Sequence, residues 1–221
     1  FINAASLALF DYNIKSKCHG FTVSLSGGAD SSCTVMLVYE MIRRAILELG
    51  EKEVINKLNL KNLQENDYSI NTIMKNILIT VYQKSKNSSL DTELSAKKLA
   101  RFISSTHFKW SINEEIDSII SKISKKTKQT YNWEKDNIAM QNIQARVRSP
   151  FIWFIANTNN MLLLSTSNRS ENAVGYSTMD GDTSGSISPI AGIDKVFIKK
   201  LLIYLKEKYN YNCLNNVLNL E

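Results

Sequence analysis

The sequence predicts an α/β fold, a parallel β-sheet with helices on both faces. Short runs rich in apolar and β-branched residues, at 21–25, 77–82, 106–112 and 161–166, alternate with stretches of helical periodicity. Strands alternating with helices imply right-handed β-α-β units and hence a parallel sheet. Every segment rich in glycine or hydroxyl groups (26–31, 87–89 and 165–188) follows a strand end. Open parallel sheets bind ligands outside the carboxyl ends of their strands.

The elements follow in order. Residues 1–17 carry Ile2, Ala5, Leu9 and Ile14 at a loose helical period that stops before Gly20. Residues 21–25 form the first strand, broken by Ser26-Gly27-Gly28-Ala29-Asp30. Residues 31–49 read as a helix with Val35, Val38, Ile42 and Ile46 on one face, closed by Gly50. Residues 51–76 are rich in Asn and Lys and read as a surface excursion of short helix and loop. After the second strand at 77–82, Asn87-Ser88-Ser89 is a turn and cap. Residues 91–103 form a helix with Leu94, Leu99 and Phe102 inward, and 106–112 the third strand. Ile112, Ile116, Ile119, Ile120 and Ile123 mark an amphipathic helix. Residues 137–156 form a longer helix that Pro150 is expected to kink or split. The fourth strand covers 161–166, a loop rich in Gly, Asp, Ser and Thr runs from 168 to 188, and 193–208 is helical.

Composition narrows the function. The 221 residues carry 27 Lys+Arg against 21 Asp+Glu, with 43% hydrophobic and 22% charged residues. This is an ordinary globular composition for one domain over 1–221. The first residue is Phe, from which a piece of a longer chain is expected. The apolar stretch 151–156 is far short of the ~18 residues a membrane helix needs, so no membrane partner is expected. The +6 charge comes from a chain rich in Lys throughout, and its dense basic stretch, 122–128, has no aromatic interleaving. A solvated helix end is the simpler reading, and no nucleic-acid partner is expected. Cys18, Cys33 and Cys213 are widely spaced and form no C-x-x-C, which favours a reducing, cytoplasmic setting. With His19 and His107 as the only histidines, triad and multi-histidine metal chemistry are excluded. Catalysis must rest on carboxylates, lysines, hydroxyls and backbone amides.

Ser26-Gly27-Gly28-Ala29-Asp30-Ser31 sits between a strand and a helix N-terminus. Glycines let the backbone approach an anion, successive N–H groups form a nest, and the helix end adds positive potential. Ser26 and Ser31 add hydroxyl donors. Asp30 would repel phosphate unless a cation lies between them, which predicts Mg²⁺. The pattern is neither a P-loop nor G-x-G-x-x-G. A glycine pair alone would mean only a tight turn; the added Ser, Asp and Ser favour a phosphate site.

Ser-Gly-Gly-x-Asp-Ser after a strand resembles the pyrophosphate-binding loop of the N-type ATP pyrophosphatases, whose fold is adenine nucleotide alpha hydrolase-like. Asn142-Ile-Gln-Ala-Arg-Val-Arg148, the stretch Thr166-Ser-Asn-Arg-Ser-Glu171 through Gly175, Gly181 and Asp182, and Ser188-Pro-Ile-Ala-Gly-Ile-Asp-Lys195 resemble the synthetase domain of the long, glutamine-dependent bacterial NAD⁺ synthetases. The resemblance implies ATP-dependent conversion of deamido-NAD⁺ to NAD⁺ through an adenylated nicotinate, with ammonia as nucleophile and AMP and pyrophosphate released. It implies that Ser24, Leu25, Ser26, Gly27, Gly28, Ala29, Asp30 and Ser31 bind ATP together with Thr166 and Lys195. Asp30 and Glu171 would hold Mg²⁺. Asn142, Arg146, Glu171, Tyr176, Ser177, Thr178 and Met179 would contact deamido-NAD⁺, and Asp182 would lie near the ammonia site, so that Lys195 and Asp182 are the catalytic candidates. It also implies a homo-oligomer, a glutaminase domain elsewhere in the full-length chain that supplies ammonia, and a C-terminal segment after residue 221.

Each residue has a plainer role to weigh. Glu171 fits a helix N-terminal acid, Arg146 and Arg148 surface ion pairs, Asn142 a solvent-facing position, Thr166 a strand end, Asp194 and Lys195 a helix cap and flank, Tyr176 packing, and Asp182 a turn. Two functional alternatives stay open: another amidotransferase synthetase with the same loop, GMP synthetase-like, and a non-catalytic adenine-nucleotide-binding module.

Overall fold

The computed structural model describes residues 1–60, 63 and 67–220. In chain order the elements are α1 (Ile2–Ser16), β1 (Phe21–Ser24), α2 (Ala29–Leu49), α3 (Glu51–Lys57), α4 (Ile70–Ile77), β2 (Leu78–Lys84), α5 (Leu90–Phe102), β3 (Thr106–Ser111), α6 (Asn113–Thr127), α7 (Asn137–Thr158), β4 (Leu162–Leu164), α8 (Arg169–Val174), α9 (Lys195–Tyr209) and α10 (Leu214–Asn219). The four strands form one parallel sheet in the order β3-β2-β1-β4. Phe21 lies opposite Leu78 on one side and Leu162 on the other, so β1 is central and its carboxyl end opens where the strand order reverses.

Side chains alternate between the two faces of the sheet, and each face has its own core. Phe21, Val23, Leu78, Leu162 and Leu164 join the large core, with α1, α2, α4, α5, α9 and α10 around it. Ile79, Val81 and Leu163 point the other way, onto Ile152 and Ala156 of α7. The α2 face read from Val35, Val38 and Ile42 is fully buried. Within the large core Glu40 is completely buried, and its carboxylate accepts hydrogen bonds from Arg43 and from the Tyr211 hydroxyl, each at 2.8 Å. That satisfied charge ties α2 to the chain just before α10.

Helix starts follow their capping chemistry. Ser69, Ser89 and Asp194 accept from the backbone N–H groups of Thr72, Thr92 and Phe197. Several expectations need correction. The helix α7 runs unbroken through Pro150, which is not a split. Pro150 shares the exposed side of α7 with Arg146, so the carbonyl that loses its helical donor faces water. The expected loop at 168–188 contains α8, and β4 is shorter than the 161–166 run. Helix α4 extends through Ile77, where a strand was expected to begin, and α10 was not anticipated. Leu94 is 44% exposed rather than inward; Ala96, Leu99 and Ala100 supply the buried face of α5. The excursion at 51–76 resolves into α3 and most of α4, with 61–62 and 64–66 outside the described residues. Cys18, Cys33 and Cys213 are free thiols. Among the described residues no helix is long and apolar enough to cross a membrane.

Candidate active site

The turn after β1 is built to approach a ligand through its backbone. Gly27 has φ +88°, and a Cβ there would lie 2.2 Å from the Thr92 carbonyl oxygen, so only glycine fits. Its own carbonyl accepts from the buried Ser95 hydroxyl at 2.9 Å. The turn is thus clamped onto the start of α5. Gly28 is the N-cap of α2, so the first N–H groups of a 21-residue helix face the cleft. The hydroxyls of Ser26 and Ser31 are 3.0 Å apart. Leu25 and Ala29 are fully buried, and neither lines the cleft beside Ser24, Ser26, Asp30 and Ser31.

Polar groups from three distant segments meet at Asp30. Its carboxylate accepts from Lys195 Nζ at 2.6 Å and from the Asn168 side-chain amide at 3.0 Å. Asn168 is the fully buried N-cap of α8, and it forms a reciprocal capping box with Glu171. The plain reading of Glu171 as a helix N-terminal acid therefore holds, yet its carboxylate also lines the cleft. Burial pushes the Glu171 carboxyl above the ordinary range, the Asn168 N–H opposes this, and the charge of Asp30 raises it further. Ser24, Ser26, Asp30, Thr166, Glu171 and Asp182 all line one cleft of about 480 Å³.

A second cavity of about 610 Å³ collects the residues predicted to contact deamido-NAD⁺ except Glu171, which lines the first. Asn142, Arg146, Tyr176, Ser177, Thr178, Met179 and Asp182 line it. Asn142 Oδ1 accepts from the Thr178 hydroxyl at 2.9 Å, and Arg146 Nε donates to the Met179 carbonyl at 3.1 Å. Neither is the solvent-facing residue or surface ion pair of the plainer reading. Asp182 accepts from the Thr178 N–H at 2.9 Å, so it does support its turn. Tyr176 and Met179 are 74% and 69% exposed, which makes them cavity rim rather than packing. The two cavities share Gln144, Ala145, Arg148 and Asp182. Arg169, by contrast, is engaged with Asp194 at 2.8 Å.

Two residues outside the predicted set belong here. Arg148 lies at the junction of the two cavities, and no hydrogen bond or ion pair joins its side chain to another described residue. Burial pushes its guanidinium pKa down and Asp182 opposes this; the group remains a cation at neutral pH. Gln83, at the end of β2, is 5% exposed, and neither its amide nitrogen nor its amide oxygen has a partner among the described residues.

Among the described residues no cluster of three or more His, Cys, Asp or Glu side chains is arranged to hold a metal. Asp30 and Glu171 nevertheless suit Mg²⁺. They are hard oxygen donors beside a hydroxyl-lined cleft, and the Glu171 carboxylate, raised in pKa chiefly by burial and further by the charge of Asp30, is one that a cation would stabilise. Mg²⁺ commonly takes one or two carboxylates and completes its shell with water and phosphate.

The NAD synthase family model matches residues 1–213. The chain belongs to the NAD synthase family. Two curated relatives are each named glutamine-dependent NAD(+) synthetase. The Drosophila melanogaster protein is 29% identical over 95% of this chain, and the Saccharomyces cerevisiae protein 30% identical over 96%. The chain spans only 29% and 32% of their lengths. A crystal structure of a glutamine-dependent NAD(+) synthetase from Cytophaga hutchinsonii superposes with a TM-score of 0.94 at 44% identity, covering all of this chain and 40% of that one.

Proposed function

We propose that this chain catalyses the ATP-dependent amidation of deamido-NAD⁺ to NAD⁺. The observation that carries the reading is the junction of two cavities: one is lined by Ser26, Asp30 and Ser31 of the phosphate-type turn and by Glu171, with Lys195 bonded to Asp30, the other by most of the residues matched to deamido-NAD⁺ contacts, and both share Arg148 and Asp182. Membership of the family supports the same activity.

In the first step a nicotinate carboxylate oxygen attacks the α-phosphorus of ATP, and pyrophosphate leaves. The turn 26–31 and the N-terminus of α2 hold the β- and γ-phosphates through backbone N–H groups. Lys195, one bond from Asp30, is placed to balance the charge of the departing pyrophosphate. Arg148, a cation with no hydrogen-bonded partner among the described residues, lies at the junction of the two cavities and offsets the mutual repulsion of the reactants. Asp30 and Glu171 would hold Mg²⁺, which when bound supplies charge neutralisation on the phosphates. In the second step ammonia attacks the acyl carbon, AMP leaves, and Asp182 accepts the proton lost from nitrogen. Positioning supplies most of the rate, because both reactants are fixed against α7.

Ammonia from a glutaminase domain of the complete protein fits the relatives' names. We propose self-association as well, supported by exposed apolar residues along α7 (Ile138, 76%; Phe154, 69%), and a cytoplasmic setting, in which three free thiols persist.

The test is NAD⁺ formation from ATP, Mg²⁺, deamido-NAD⁺ and ammonia with the purified protein. Equimolar AMP and pyrophosphate are expected, and ATP–pyrophosphate exchange should require deamido-NAD⁺. Exchange supported only by xanthosine monophosphate would replace the reading with a GMP synthetase-like one. Nucleotide binding with no pyrophosphate release for any acid would leave a non-catalytic binding module. Light scattering giving a monomer at micromolar concentration would remove self-association.

A further inference from the structure

Asn168 joins the two carboxylates assigned to the cation. It is fully buried, and three of its polar groups are spent on Asp30 and Glu171. Its side-chain oxygen accepts from the Glu171 backbone N–H at 3.0 Å, and its own backbone N–H donates to Glu171 Oε2 at 3.2 Å. Its side-chain nitrogen donates to Asp30 Oδ1 at 3.0 Å, a residue 138 positions away in the chain. The amide fits only one way round. The Glu171 N–H needs an acceptor and the Asp30 carboxylate a donor, and each end of the amide meets one of them.

We propose that Asn168 is a positioning residue, which aligns Asp30 and Glu171 as one seat for a divalent cation; this rests on the Mg²⁺ assignment made with the activity above. The rival explanation is a helix cap with an incidental extra contact. A cap needs only an oxygen that accepts from the first turn, and Ser69 and Ser89 cap α4 and α5 with a hydroxyl alone. The bond to Asp30 is not required for that. It ties the first turn of α2 to the start of α8, the helices that follow the neighbouring strands β1 and β4. It also commits Oδ1 of Asp30 and so fixes the plane of the carboxylate, which leaves Oδ2 to face a cationic group, the Lys195 ammonium at 2.6 Å. The capping box commits Oε2 of Glu171 in the same manner. Two carboxylates that repel each other are thereby held at one cleft, with one oxygen of each tied down by the same buried residue. Hydrogen bonds of this kind orient the groups that bind a metal and set its affinity.

The experiment titrates Mn²⁺, a paramagnetic stand-in for Mg²⁺ at oxygen ligands, into the complete protein without nucleotide. Electron paramagnetic resonance counts the free ion, and Tm is measured on the same samples. Wild type is expected to bind a Mn²⁺ that Asp30→Asn loses. A serine hydroxyl ends one bond short of the asparagine nitrogen, so Asn168→Ser keeps the cap and gives up Asp30. It is expected to hold Tm near wild type and to bind Mn²⁺ about tenfold more weakly. Asn168→Ala, which lacks cap and amide alike, should unfold at a lower temperature yet bind Mn²⁺ no more weakly than Asn168→Ser. Wild-type affinity in Asn168→Ser, or a loss confined to Asn168→Ala, makes Asn168 a cap only and overturns the proposal while the Mg²⁺ assignment stands. Should Asn168→Ser not fold, Asn168→Thr, a bulkier capping side chain, is judged by the same two results. If wild type binds no Mn²⁺, or Asp30→Asn binds it equally well, the cation assignment falls and the positioning role with it; the amidation itself is tested separately by NAD⁺ formation.

Discussion

Replacing Asp30 by Asn separates its structural role from its chemical one. The substitution keeps the shape of the side chain and an oxygen that still accepts from Asn168, but it removes the charge that Lys195 Nζ meets at 2.6 Å. Those side chains are 17% and 33% exposed, so the pair is neither a surface bridge nor a sealed one. Exposed pairs contribute ~0.2–1 kcal/mol, and breaking a fully buried pair costs ~3–5 kcal/mol. Screening at the one-third exposed lysine places this pair between the two ranges and nearer the lower, at about 1–2 kcal/mol. For a chain of this size that lowers Tm by roughly 2–8 °C. The catalytic loss is expected to be far larger, at least ~100-fold in turnover, if the carboxylate takes part in neutralising the transferring phosphates.

Thermal unfolding and deamido-NAD⁺-dependent ATP–pyrophosphate exchange on the same sample measure both quantities. Lys195→Met and the double variant complete a cycle. Because the ion pair is lost once in either single variant, the double variant should unfold close to the less stable single rather than at the sum. Exchange at the wild-type rate in Asp30→Asn, with Tm lowered as described, would refute the reasoning. Asp30 would then serve only to hold Lys195 and α8 in place.

Three other substitutions test separate parts of the site. Gly27→Ala should lower Tm and weaken ATP binding more than tenfold, because φ +88° costs ~1–2 kcal/mol and the new methyl meets the Thr92 carbonyl at 2.2 Å; Gly50→Ala, at φ +79° with open space around it, should lower Tm without touching binding. Glu171→Gln keeps the capping-box geometry but removes a carboxylate whose pKa is raised in the fold. The raised value means that the folded chain takes up this proton more readily than the unfolded one, so the penalty exists at neutral pH and disappears as pH falls through the raised value. The variant should therefore unfold at a higher temperature at pH 7, lose that advantage in mild acid, and turn over more slowly; a lower Tm at pH 7 would contradict the electrostatic account. Arg148→Met should leave Tm unchanged or slightly higher, since the guanidinium is buried without an ion-pair partner, while kcat/KM falls at least tenfold; an unaltered kcat/KM would make Arg148 a bystander.

The strands, α1, α2 and the glycine turn were legible because period and punctuation agree there: β-branched runs stop at Ser26-Gly27, and Gly50 closes α2. Helices α8 and α10 escaped because six residues of loop-like composition carry too little periodicity, although Asn168 followed three residues later by Glu171 is a readable capping box. Leu94 was placed inward by apolarity, but Ser95, Ala96 and Leu99 set the buried face of α5. In the sequence Arg146 and Arg148 read alike, each as a candidate for a surface ion pair. Two residues apart on a helix they project from nearly opposite sides, and only Arg146 is exposed. Gln83 carried a similar signal, a polar residue at the period set by Ile79 and Val81.

The position of the cleft follows from where the apolar pattern of one sheet face ends. On the α7 side, Val81 gives way to Gln83 and Leu163 to Ser165, while β1 contributes Thr22 and then Ser24. The core there comprises five buried residues, and Ile152 and Ala156 on the C-terminal half of α7 are the helical part of it. Toward its N-terminus the same helix turns to Ser149, Ala145 and Asn142, so it departs from the sheet with polar groups on both sides. A Cβ on Gly181 would stand 2.9 Å from the backbone and Cβ of Ala145, which presses the segment bearing Asp182 against the helix. Helix α7 thereby becomes the common wall of the two cavities, with Ala145 and Arg148 in each. On the proposed reaction, the distance between a nucleotide in one and an acid in the other would be set by the fixed rise of a single helix. That rigidity would supply in advance the entropy that joining two anions otherwise costs.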